Sequence, residues 1–352
     1  MSIVKFSEVA HRAYTREDRF NTEKIYYVGG EHIDSCELYV TKKGVIKGST
    51  IGPMFYCGFT AGQILFVTRN PHLKKCSIAD FDGICSEKTF VIETKDESIL
   101  TQEYLAIIMQ SDDFWNYCEE NKSGGVNYFL NWSTLADYEF ELSPIKQQLE
   151  IAQKVMSAYR LKQSYKKLLD ATREMVKSQF IEMFKGDNQV PLGDICNIEK
   201  GATITRNDVL PGEVPVVAGG QEPSCYHNVA NREAGAITVS ASGAYAGYIN
   251  FWNCPIFASD CNTIISKDDE KTDQTFVYFG LRAMQKQIYG LQKGGAQPHV
   301  YGKDLQKFMF PCPSYAKQIE FSKMAKQADK SEFELRKSIE AIDQVIKSLI
   351  NN

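Results

Sequence analysis

The sequence predicts an α+β protein: two repeated strand-rich globular domains separated by a long antiparallel two-helix coiled coil, with approximate two-fold symmetry. Three observations carry that expectation. A loop is written twice, 170 residues apart, as "SGGVNYFLNWSTL" at 123–135 and "KGGAQPHVYGKDL" at 293–305. Each copy runs into a long segment of helical period, 144–184 and 314–350. Each copy is preceded by β-branched and aromatic runs bounded by Gly, Asn and Asp, which read as strands.

The repeat is justified residue by residue. Gly124 and Gly125 fall on Gly294 and Gly295, Leu135 on Leu305, and Phe140 on Phe310. The same shift places Gln148 on Gln318, Glu150 on Glu320, Lys166 and Lys167 on Arg336 and Lys337, and Ala171 on Ala341. Lys177 and Ser178 fall on Lys347 and Ser348. Heptads resemble one another, so the helix match alone is weak. A loop and a helix agreeing under one shift make the internal repeat the organising feature. The domains are then residues 1–144, a first globular domain; 145–186, a central spacer helix; 187–313, a second globular domain; and 314–352, a long helix that pairs with 145–186.

In chain order, strands are expected at 25–29, 62–68 and 88–94, a helix at 101–120, and the repeated loop ending on the Leu of a strand. Ser143 and Pro144 supply an N-cap and a first-turn proline for the central helix. Its apolar seam is read as Leu149, Ala152, Met156, Tyr159, Leu161, Tyr165, Leu168, Thr172 and Met175, in threes and fours with one phase slip. The polar "KGDNQ" at 185–189 ends it. Strands at 236–241, 246–252 and 262–267, and a helix at 272–290, repeat the first pattern. The last helix carries Leu335, Ile339, Ile342, Ile346 and Leu349 in steps of four and three. Forty helical residues span about 60 Å, and a helix with an apolar stripe must bury it. The other repeat's helix is the partner at hand, and an antiparallel pairing returns the C-terminus towards the first domain.

Bulk properties bound the function. A length of 352 residues suits two domains, and 43% hydrophobic with 24% charged residues suits a soluble globular protein. No apolar run reaches the roughly 18 residues of a membrane span, and "MSIVKFSEVAHR" lacks the apolar core of a signal peptide. A cytoplasmic protein without a membrane partner is expected. Ten cysteines include no C-x-x-C pair, and there are five histidines, so zinc-site spacings are absent. Cys36, Cys57, Cys85 and Cys261 lie in apolar runs and read as buried reduced thiols. Net charge is −4 but uneven: residues 1–144 carry −7, residues 145–186 carry +5, residues 187–313 carry −3 and residues 314–352 carry +1.

Catalytic motifs are not convincing. The chain has no phosphate loop and no dinucleotide fingerprint. "SASGAYAG" at 240–247 reads as a polar turn. "NPHL" at 70–73 lacks the second proline and the stacking ring of the amino-methyltransferase motif. The best enzyme candidate is Asp82 with Glu93 and Lys95, a loose Mg²⁺-nuclease pattern, against which stands a surface strand end with solvated charges.

Repeated loops without chemistry point to recognition, and a two-part protein suits a two-part ligand such as duplex DNA. The second loop offers Lys293, Gln297, His299, Tyr301 and Lys303; the first offers Asn127, Tyr128, Asn131 and Trp132. Gln and Asn pair with adenine edges, and Lys or Arg with guanine. Glycine pairs let backbone approach phosphate. Arg12, Arg16, Arg19, Lys42, Lys43, Arg69, Lys74, Lys75, Arg206 and Arg232 are further candidate DNA contacts, each weighed against a solvated surface charge.

The stretch "GGAQPHVYGKDLQKFMFPCPSYAKQIE" at 294–320 resembles the end of a target-recognition domain in the specificity subunits of type I restriction–modification systems. The features that match are Gly294 to Pro298, Leu305, Pro311, Pro313 and Gln318. Residues 236–264 and 62–92 are similar to the middles of such domains, so the resemblance covers nearly the whole chain. The first repeat departs from the pattern, with Ser143-Pro144 for the Pro-x-Pro and Gly-Gly-Val-Asn for Gly-Gly-Ala-Gln. The resemblance implies a non-catalytic subunit without a cofactor of its own. It implies that each domain reads half of a bipartite DNA site and that the helices set the spacer. It further implies docking of two methyltransferase subunits that carry S-adenosylmethionine, with a motor–nuclease subunit as a further partner. A stand-alone nuclease using Asp82, Glu93 and Lys95, and a coiled-coil scaffold that binds no DNA, are the competing readings.

Overall fold

Strand-forming residues in the first half of the chain build a four-stranded and a five-stranded sheet around two apolar clusters, besides a two-stranded pair of Ser2–Lys5 with Glu139–Leu142. The computed structural model describes residues 2–351 and divides into two units. The first unit runs to Tyr165 and takes in Ser338 onwards; the second is Lys166–Lys337.

In the first unit, an antiparallel sheet has the order Ala10–Arg12, Thr89–Thr94, Ile64–Val67, Cys76–Ile78. Beside it lies a five-stranded mixed sheet with Phe55–Phe59, Gly83–Ser86 and Tyr26–Val28 at its centre. Phe6, Phe66, Phe114 and Trp115 are fully buried and form the aromatic centre, with Phe66 and Trp115 stacked at 5.7 Å. The second unit repeats the first sheet strand for strand: Cys196–Lys200, Cys261–Ser266, Ala236–Ser240, Ile249–Trp252. Its second sheet is smaller, with three strands. Phe180, Phe184, Phe276, Phe310 and Phe321 make its core. Gly280 is required there, since a Cβ would lie 2.5 Å from the Phe310 ring and 2.7 Å from that of Phe180.

Two long helices, Ile145–Met183 and Tyr315–Asn351, are hereafter the central and the C-terminal helix. Within the first unit, Lys162 meets Asp343 at 2.7 Å, while Ile151 and Ile350 line one groove, so the two segments run antiparallel. Within the second unit, Arg173 meets Glu332 at 2.9 Å and Phe184 meets Phe321 at 5.6 Å, again antiparallel.

Several expectations are corrected. On the central helix the expected Ala152, Met156 and Tyr159 are buried, but the buried stripe otherwise runs through Val155, Lys162, Leu169, Val176 and Phe180. Leu149, Leu161, Leu168 and Met175 are exposed instead. Val155 to Val176 and Leu161 to Met175 both step by seven, and the polar Lys162 in the buried stripe disguises it. The helix expected at 101–120 is two, Gln102–Ile108 and Asp112–Glu120, because Ser111 turns extended and its side chain caps Phe114 N–H. The one expected at 272–290 is likewise two, Gln274–Ala283 and Gln285–Tyr289, divided at Met284. Leu135 and Leu305 sit on one-turn helices, Trp132–Ala136 and Gly302–Gln306; the strands Glu139–Leu142 and Met309–Pro311 begin four residues later. All ten cysteines are free; Cys57, Cys85 and Cys261 are buried, but Cys36 is exposed on a turn with φ +55°.

Candidate nucleic-acid interface

The duplicated loop folds into the same closed hairpin in each unit. Ser123 and Phe129 exchange backbone hydrogen bonds of 2.9 and 3.0 Å; Lys293 and His299 do so at 2.9 and 2.8 Å. Gly124 has φ +97° and Gly294 φ +98°, a region where side chains strain the backbone. A Cβ on either would also lie 2.6 Å from the Asn127 carbonyl oxygen or 2.8 Å from that of Gln297. The glycine thus lets the chain double back over itself. Just past each hairpin, buried Leu130 donates its N–H to Thr68 O and buried Val300 donates to Ala241 O. These bonds pin the hairpins to the end of a central strand. The tips, 124–127 and 294–297, are left in solvent, and Val126 is 92% exposed.

A second loop adjoins each hairpin. In the first unit Asn70 N–H donates to Tyr128 O; in the second Gly243 N–H donates to Pro298 O. The stretch read as a polar turn at 240–247 is therefore part of the second site, and its Tyr245 is exposed. Only the folded chain joins it to residue 298, so its local sequence gave no sign.

Around the second hairpin, His299 and Tyr301 stack at 5.9 Å and Lys303 Nζ lies 5.6 Å from the Tyr301 ring. Lys293 Nζ is 2.7 Å from Asp304, whose carboxyl it holds below the usual range. Gln297 is exposed at the tip. Around the first, Asn127 is exposed at the tip and the Arg69 guanidinium lies 5.2 Å from the Phe129 ring. Lys122, which the sequence reading missed, covers the Tyr128 ring at 4.4 Å. Its signal was its place just ahead of the glycine pair. Asn131 starts the helix Trp132–Ala136 without a side-chain cap. Trp132 packs edge-on to Phe6 and Phe90, so it belongs to the core.

The other candidates lie apart from the hairpins in the contacts they make. Arg12 stacks on Phe90 and Tyr14, Arg16 on Tyr56, Arg19 on Phe20, and Lys43 on Tyr26 and Phe81. Lys42 pairs with Asp34 at 2.7 Å, Lys74 with Asp112 at 3.5 Å, and Lys75 donates to Gly30 O. Arg206 is exposed on the turn closed by Asp208. Arg232 is engaged inside the fold by Thr263, Asn231 O, Lys200 O and Glu199. The nuclease candidates do separate work: Asp82 accepts from Ala61 N–H, Glu93 from Gln63, and Lys95 donates to Ser7 O. Among the described residues no group of three His, Cys, Asp or Glu could hold a metal ion.

Residues 186–344 match the family described as the type I restriction modification DNA specificity domain. This stretch belongs to that family. The family resemblance read from residues 294–320 is borne out. The type I restriction enzyme EcoDI specificity subunit of Escherichia coli is 25% identical over 133 residues. The match takes in 37% of this chain and only 29% of that relative, so it spans under a third of the relative's length. Among solved structures, the S subunit of a type I restriction–modification system from M. genitalium superposes with a TM-score of 0.67 at 15% identity, covering 99% of this chain and 94% of its own. A chain from a structural study of complex assembly and conformational transition in the type I system gives 0.57 at 17% identity, covering 99% and 96%. The specificity-subunit fold therefore extends over the first unit as well. The hairpin at 293–299 lies inside the specificity domain, and the hairpin at 123–129 is its structural repeat. No helix among the described residues is long and apolar enough to cross a membrane.

Proposed function

We propose that the chain is the DNA sequence-specificity subunit of a type I restriction–modification complex. One observation carries the reading: the same strained-glycine hairpin is built twice, pinned by the same backbone bonds and exposed at its tip. Each unit reads one half of a bipartite duplex site, with Asn127 or Gln297 aimed at base edges and Lys122, Arg69, Lys293 and Lys303 at phosphates. The paired helices fix the spacer between the halves. They also dock two methyltransferase subunits, which carry S-adenosylmethionine and the adenine chemistry, and a motor–nuclease subunit joins that assembly. The chain itself performs no reaction and works in the cytoplasm. An exposed apolar pair one heptad apart on the central helix, Leu168 and Met175, supports the docking role.

The test is to insert matched turns into both long helices and map the methylated site of the complex. The expected result is a changed spacer with unchanged half-sites. Altered half-sites, or cleavage of DNA by the isolated chain with Mg²⁺, would overturn the proposal.

A further inference from the structure

Within each unit an ion pair joins the central helix to the C-terminal helix. In the first, Lys162 Nζ lies 2.7 Å from Asp343 and 3.1 Å from Glu37. In the second, Arg173 Nε lies 2.9 Å from Glu332. Under the 170-residue repeat, Lys162 falls on Glu332 and Arg173 falls on Asp343. The chain has built one contact twice and reversed its sign. The central helix carries both cations, eleven residues apart, and the C-terminal helix carries both acids at the same separation.

The consequence concerns which helix pairs with which. A duplicated helix retains the capacity to pair with its own kind. Two copies of the central helix, aligned antiparallel in the repeat's own register, would set Lys162 against Arg173 twice over. Two copies of the C-terminal helix would set Glu332 against Asp343. Only the central helix against the C-terminal helix gives opposite charges at both places. One member of each pair is shielded from solvent: the side chains of Lys162 and Glu332 are 9% and 15% exposed, whereas those of Asp343 and Arg173 are 47% and 37% exposed. Like charges there are costly, and such contacts choose among partners more effectively than they add stability. Asp170 lies 3.6 Å from Arg173 and Arg336 lies 3.7 Å from Glu332, each on the same helix as its partner, so both travel with that helix into any pairing. Glu37, from the first globular domain, also faces Lys162 and offsets part of its charge in any pairing.

We propose that this sign-reversed pair is a partner-selection device: it directs the central helix onto the C-terminal helix and bars two copies of the chain from joining through like helices. The inference is independent of DNA binding, and its test uses none.

The experiment compares full-length chains refolded from urea at equal concentration, with mass read by light scattering after gel filtration. Arg173→Glu with Glu332→Arg keeps opposite signs in the intrachain pair. It also makes each helix complementary to a second copy of itself, because Lys162 would then face Glu at position 173. Arg173→Met with Glu332→Met removes the like-charge contact and adds no attraction. The expected order of two-chain species is parent lowest, the methionine variant intermediate and the charge swap highest, the last at least about tenfold above the parent, a difference of roughly 1.4 kcal/mol. Lys162→Asp with Asp343→Lys tests the other pair and should also exceed the parent. A charge swap no more dimeric than the parent or the methionine variant overturns the proposal. Circular dichroism confirms that each refolded chain regains its helix.

Discussion

Gln148 and Gln318 make the same three hydrogen bonds in their respective units. Each is fully buried in the first turn of a long helix. Gln148 Oε1 accepts from Thr101 N–H at 3.0 Å, and its Nε2 donates to Ile99 O and Ser143 O at 2.8 Å each. Gln318 Oε1 accepts from Asp273 N–H at 2.9 Å, and its Nε2 donates to Lys271 O and Pro313 O at 3.0 Å each. One amide thus clamps the start of a long helix to the start of the shorter helix that packs on it. Replacing either glutamine by leucine keeps the volume but leaves buried backbone groups unpaired. Gln148→Leu and Gln318→Leu should each lower unfolding free energy by about 2–3 kcal/mol. Urea unfolding measures this, and a loss near zero for either would mean that water takes over the role of the amide.

A pH dependence follows from Lys162. Burial disfavours its ammonium, but the bond to Asp343 and the charges of Glu37 and Asp343 outweigh that and raise its pKa. The folded state therefore holds this proton more tightly than the unfolded chain. Its contribution is complete below the unfolded value of roughly 10.4 and is lost as pH rises through the folded value. Lys162→Met should be less stable than the parent at pH 8, and the gap should narrow above about pH 10.5. Tyr159, whose pKa burial also raises, shares Glu37 with Lys162, so the comparison is made with Tyr159→Phe in both proteins. A gap constant from pH 8 to pH 11.5 would contradict the ion-pair account.

The sequence made the repeat, the long helices and the hairpins legible for physical reasons. Glycine pairs at a fixed offset from a buried residue mark a chain reversal, and heptad spacing marks a paired helix. The phase of the central helix was not legible. Leu161, Leu168 and Met175 form as regular a stripe as Val155, Leu169 and Val176, and the buried stripe contains Lys162. Gln148 and Gln318 stood out as a repeated pair, but their burial as clamps was not legible, because a buried Gln contradicts its usual preference for the surface. Arg232 looked like a free surface charge, since three partners from distant strands, Thr263, Lys200 O and Glu199, come together on it only when folded.

The hairpin glycines carry an internal control. Gly294→Ala meets both a positive φ and the Gln297 carbonyl, whereas a Cβ on Gly295 meets nothing within 4 Å. On the proposed reading, Gly294→Ala should weaken binding to a duplex with the matching half-site by about tenfold or more. Gly295→Ala should change it less than about threefold. Gly124→Ala and Gly125→Ala should divide in the same way at the other half-site. Fluorescence anisotropy of the complex on duplexes altered in one half at a time reads both. Equal effects of the two substitutions in a hairpin would show that its backbone shape does not set recognition.

The exposed stripe on the central helix yields the last prediction. Leu168 is 52% exposed and Met175 46% exposed, so neither contributes much to the core. Changing both to aspartate should alter the stability of the isolated chain by less than about 0.5 kcal/mol per site. If the stripe is covered by a methyltransferase subunit, the same change places two carboxylates in a desolvated interface. Unpaired buried charge typically costs several kcal/mol, enough to abolish co-purification of that partner. Loss of the partner with an unchanged melting temperature separates docking from folding. Retention of the partner by the doubly substituted chain would move the docking surface elsewhere, with the exposed Phe333 side of the C-terminal helix the next to be tested.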